Sequence, residues 1–120
     1  FLLYNGAVTS SPTQTLTIIP CEDADGSATD TAIPFRYKIV TAPDTNTAWA
    51  TSSELLTTTG ASQIYVIEVN AEDLPVVSGV KYEYIYMHCV ETAGDASLSG
   101  VIIIMDEPRY AQDVSETVTA

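Results

Sequence analysis

His88 is the single histidine of the chain, so any general base or His-assisted nucleophile has to be built on it. It lies in KYEYIYMHCV, whose residue types alternate with the period of a strand, and its neighbour is Cys89. Adjacent strand residues point to opposite faces, which rules out a Cys–His pair between these two. Serines are plentiful, yet no GxSxG elbow presents one as a nucleophile. His88 therefore reads as a strand histidine packed among tyrosines or facing solvent. The segment CEDADGSATD gathers Glu22, Asp23, Asp25 and Asp30 around Gly26, the kind of oxygen cluster that a hard cation such as Ca²⁺ requires. It lacks the alternating ligand positions and closing bidentate Glu of an EF-hand loop, so a solvated acidic turn is the plainer expectation. Zinc finds no CxxC or HxxxH spacing, and there is no phosphate loop, dinucleotide fingerprint or glycosylation sequon. No catalytic residue, cofactor or metal is expected.

Two further groups carry potential chemistry. Cys21 and Cys89 can form one disulfide or remain as two buried thiols, which behave as small hydrophobes. Tyr82, Tyr84 and Tyr86 alternate along one strand and form an aromatic stripe. Such a stripe can stack sugars or build an interface, because Tyr joins a large apolar ring to a polar tip. Packing against a partner sheet is the commoner use and the plainer expectation.

The elements that must position these groups are strands. Thr, Val, Ile and Tyr suit a pleated, half-buried surface. In IPFRYKIV, residues Ile33, Phe35, Tyr37 and Ile39 point one way, and Pro34, Arg36 and Lys38 point the other. Pro34 cannot donate to a ladder, which places it at a strand start or a sheet edge. QIYVIEVN puts Tyr65, Ile67 and Val69 on one face, and KYEYIYMHCV follows as the longest strand. SLSGVIIIM ends apolar on both faces, so its C-terminal half is expected to be central or covered on both sides. Weaker strands are expected over 14–19, 47–50, 54–57 and 1–4. Turns are expected at Asp25-Gly26, Thr59-Gly60, Ser78-Gly79 and Gly94-Asp95, with a hairpin loop at ETAGDA and one helical turn over 71–74 ended by Pro75. The pattern predicts an all-β fold: a single antiparallel β-sandwich or jelly-roll-like domain of about 7–8 strands over residues 1–105. Residues 106–120 form an extended, polar C-terminal arm. The order Cys21, Trp49, Cys89 resembles an immunoglobulin core, but the Trp is too distant from the first Cys and no Tyr lies two residues before the second.

Composition bounds the function classes. The chain has 120 residues, 16 acidic and 4 basic side chains, and a net charge of −12. Such a surface repels phosphate and anionic headgroups, so neither nucleic acid nor membrane is an expected partner. The longest apolar run, Val101 to Met105, is far short of the roughly 20 residues that a helix needs to cross a bilayer. FLLYNGAVT has no basic stretch ahead of it and does not read as an intact signal peptide. Hydrophobic residues make up 46 %, which supports a packed core. Only Glu54, Glu68 and Glu83 of the acids fall inside the expected strands, so the charge belongs to the rims.

Three stretches carry a likeness. IYVIEVNAEDL, then VKYEYIYMHCVET, then GVIIIMDEPRYAQ, resemble small virion proteins of tailed bacteriophages, of the head decoration or cement type. The resemblance covers residues 63–74, 79–92 and 100–112. It implies a non-enzymatic β-sandwich on the outer surface of an assembled capsid, with the major capsid protein and copies of itself as partners. Tyr82, Tyr84 and Tyr86, with Pro108, Arg109 and Tyr110 of the arm, are the candidate interface residues. The alternative is a secreted or cell-surface β-sandwich module, pilin-like or carbohydrate-binding, which a Cys21–Cys89 disulfide would favour.

Overall fold

The computed structural model describes residues 1–7, 14–26, 31–58, 62–92 and 98–106. The expected arm beyond Asp106, with Pro108, Arg109 and Tyr110, lies outside the described residues. So do Asp30 and the Thr59-Gly60 and Gly94-Asp95 turns.

The fold is an antiparallel β-sandwich. Its strands are β1 (Leu2–Asn5), β2 (Gln14–Cys21), β3 (Phe35–Ala42), β4 (Thr45–Asn46), β5 (Ala50–Ser52), β6 (Leu55–Leu56), β7 (Gln63–Glu68), β8 (Val76–Val77), β9 (Val80–Lys81), β10 (Tyr84–Glu91) and β11 (Ser99–Ile102). The larger sheet runs β11-β1-β7-β3-β4, with β5 also on β3, and the smaller runs β10-β2-β6. β8 and β9 form a separate hairpin closed by Ser78 and Gly79, both at positive φ, the geometry of a primed turn. A single 3₁₀ turn, Ala71–Asp73, precedes Pro75.

Alternation dictates the core. Leu3 from β1, Phe35 from β3, and Tyr65 and Ile67 from β7 meet Leu16 and Ile18 from β2 and Leu55 from β6. Ile33, just ahead of β3, joins them, and Ile85 and Met87 of β10 pack against the same cluster. Burying side chains of this size contributes about 1.5–3 kcal/mol each. Pro34 immediately precedes β3, where its missing N–H costs no ladder bond. Pro20 is accommodated within β2 because β6 pairs only with Thr15 and Leu16, so β2 has a strand on one side only at that point.

Buried polar groups are tied down. The Tyr65 hydroxyl donates to Gln63 Oε1 at 2.7 Å and accepts from the Thr58 N–H at 2.8 Å. Ser99 Oγ donates to the buried Asn5 Oδ1 at 2.8 Å and accepts from Gln14 Nε2 at 2.9 Å, linking the two sheets at one end.

Two expectations about connections and cover are corrected. ETAGDA does not close a hairpin: β10 and β11 belong to different sheets, so the chain crosses the sandwich there. The run after Ser99 is not covered by any described residue. Among the described residues β11 pairs with β1 alone, and Ile102, Ile103, Ile104 and Met105 are 63 %, 63 %, 65 % and 93 % exposed.

Candidate functional site: the outer face of the smaller sheet

Register assigns every side chain of β10 to a face. Tyr84 stands opposite Cys21, Tyr86 opposite Ile19, His88 opposite Thr17 and Val90 opposite Thr15. Ile85 and Met87 point into the core, so Tyr84, Tyr86, His88 and Val90 point out. The expectation that the tyrosine stripe packs against the partner sheet is therefore corrected. Tyr84 is 48 % and Tyr86 38 % exposed. Tyr82 departs from the stripe. It precedes β10, is buried, and donates its backbone N–H to the Pro75 carbonyl at 3.0 Å.

This outer face has a distinctive composition. Leu56 of β6, opposite Thr15, completes it at the far edge. Between Tyr84 and Leu56 it carries Tyr, Ile, Thr, Val and one His, and no carboxylate or cation. Tyr86 and His88 rings meet edge to face, 6.0 Å between centroids. At one end the acidic turn closes over the face, with Gly26 at φ 71° beside the Tyr86 ring. Cys21, Asp25, Gly26 and Tyr86 help line a shallow depression of about 240 Å³ there.

The cysteines are both free. Cys21 stands opposite Tyr84 on the outer face, while Cys89 stands opposite Leu16 on the inner face, five positions further along β2. That separates them by about 16 Å along the ladder and on opposite sides. A disulfide needs Cα atoms within roughly 7 Å and converging Cβ atoms, so the candidate Cys21–Cys89 bond is excluded. Loss of solvation raises the Cys21 thiol pKa above its ordinary value of 9.0, and the Asp23 charge adds to the effect. Cys89 is exposed, so the expectation of two buried thiols holds for Cys21 alone, and partial loss of solvation raises the Cys89 pKa as well. Neither is an activated thiolate.

Among the described residues no three His, Cys, Asp or Glu side chains come close enough to hold a metal. Glu22, Asp23 and Asp25 do not converge with any third group of that kind, and Asp30 is outside the described residues. His88 has a tyrosine ring and a threonine strand as neighbours, the arrangement expected of a plain strand histidine.

A second cluster was not legible in the sequence. Arg36 and Lys38 flank the Trp49 ring, their charged groups 5.0 and 5.2 Å from its centroid, and Arg36 pairs with Glu68 at 3.5 Å. Alternation places both cations on the outer face of β3. Trp49 reaches them through the return of β4 and β5 along the same strand edge, a pairing that no local pattern announces.

Comparison with known protein families, with curated proteins and with solved structures returns no match.

Proposed function

We propose that this chain is a non-enzymatic structural subunit that binds the outer surface of a tailed-phage capsid through the exposed face of its smaller sheet. The observation that carries this reading is the uncharged face itself. On a chain of net charge −12, a contiguous strip of Tyr, Ile, Val, Thr and Leu without a single carboxylate has the composition of an interface centre, where charge is depleted and Tyr enriched. The acids on the turns then form the rim. The capsid as partner comes from the likeness of the stretches over 63–74, 79–92 and 100–112 to head decoration proteins.

The runner-up, a secreted carbohydrate-binding or adhesion module, loses the disulfide that favoured it. It keeps one feature, the exposed Tyr84 and Tyr86 rings.

Particles produced by the genome that encodes this chain provide the test. Immunogold electron microscopy and mass spectrometry of purified particles should find the chain on the shell. The double variant Tyr84→Ala/Tyr86→Ala, which removes exposed rings and leaves the core untouched, should reduce its occupancy at least tenfold. Particles that carry no copies overturn the reading. Full occupancy by the double variant overturns the assignment of this face.

A further inference from the structure

We infer that the free edge of β11 pairs antiparallel with β11 of a second copy of this chain, joining two larger sheets across a twofold axis. The inference rests on the reading of the chain as an assembly subunit and names a second contact, distinct from the tyrosine face.

The edge is open and unguarded. Among the described residues β11 ends the larger sheet and is bonded to β1 alone, so alternate N–H and C=O groups lie along its other side. Edge strands usually carry Lys, Pro, a bulge or an inward charge that blocks pairing. Leu98 to Met105, LSGVIIIM, contains none of these residues. Val101 to Ile104 is a β-branched run well suited to extending a ladder.

The exposed area matches what a stable pair needs. Leu98 is 79 % exposed, Val101 45 %, and the residues from Ile102 to Met105 63–93 %. Together they present on the order of 800 Å² to solvent, about what each partner of a standard interface buries. An apolar groove of about 310 Å³, lined by Leu2, Tyr4, Ile64 and Ile102 on the outer face, runs beside the same edge and gives side chains of the arriving copy a place to pack.

Charge selects both the occupant and the direction. The strip is self-complementary, apolar against apolar, so two copies of this acidic chain meet there without a carboxylate at the contact. The nearest described acid is Asp106, at the end of the run. With antiparallel pairing centred near Ile102, the two Asp106 residues stand about 27 Å apart, beyond the screening length of physiological salt. Parallel pairing would place them side by side.

The test is sedimentation of the full chain across micromolar concentrations, with Ile103→Lys and Ile103→Pro beside the wild type. Ile103 lies beyond the β1 ladder and is exposed, so both variants spare the fold. The wild type should sediment as a dimer. Both variants should be monomeric at the same concentration, with the dimer dissociation constant raised at least tenfold. Amide exchange should slow at residues 101–104 on dimerisation, and not at residues 84–90. A wild type that stays monomeric, or a dimer indifferent to both substitutions, overturns the inference. A monomer that still occupies particles leaves the assembly reading intact, and a dimer missing from particles overturns that reading while retaining the pairing.

Discussion

Single residues decide how this surface is used. Tyr84 and Tyr86 are large side chains left in solvent on a strand whose other face packs Ile85 and Met87 against the core. The sequence announces the alternation but not its sign, because both sets of β10 residues are apolar enough to face a core. The Cys21 thiol illustrates how position fixes chemistry. Buried beneath the acidic turn, it keeps its proton to higher pH in the folded chain than in the unfolded one. The stability this confers is complete below the ordinary thiol pKa of 9.0 and is lost as pH rises from there through the folded value. From about pH 8 to about pH 10, the urea midpoint of the wild type should therefore fall further than that of Cys21→Ala. Equal falls would show that Cys21 titrates as it does in the unfolded chain.

At the scale of elements, β3 was the most legible, since Phe35, Tyr37 and Ile39 share one face and Arg36 and Lys38 the other. β7 showed its inner face through Tyr65 and Ile67, although Ile64 and Val66 on its outer face are also apolar. Pro34 and the Ser78-Gly79 turn also sit where their backbone preferences put them. Illegible elements fail for a physical reason. β4, β8 and β9 are only two residues long, too short for any period to show, whereas the equally short β6 falls inside the weak strand expected over 54–57. A run apolar on both faces reads as a central strand, and β11 instead ends the larger sheet among the described residues, with Val101 and Ile102 on its two faces exposed. The pattern records what a strand can bury, not which chain buries it. Gly100 gives a further handle on this strand. It stands opposite Tyr4, and a Cβ built there meets nothing within 4 Å. Gly100→Ala should stabilise the domain by about 0.5 kcal/mol, chiefly by restricting the unfolded chain. A higher urea midpoint checks this, and a lower one would show that the backbone at residue 100 needs glycine.

Across the whole molecule, charge and hydrophobicity are segregated. The chain carries a net charge of −12, most of the described acids lie outside the strands, and the Arg36–Glu68 ion pair joins half-exposed side chains and contributes little. Self-repulsion therefore works against the compact state. Raising salt from about 10 to about 150 mM shortens the screening length from about 30 to about 8 Å and should raise the melting temperature by a few degrees. A flat or falling response would show that the acids are already compensated. The segregation was legible as a rim of charge; the two apolar surfaces it leaves, one on a face and one on an edge, became visible only with the pairing of the strands. That pairing also sets a timetable. β1 is wedged between β7 and β11, so Leu3, fully buried, gains its neighbours from residues 63–68 on one side and 99–102 on the other. Contacts of such long sequence separation form slowly. During synthesis the larger sheet can close only after residue 102 has emerged, and until then the flanks of β1 are open to strands of other chains, the exposure that invites misassembly.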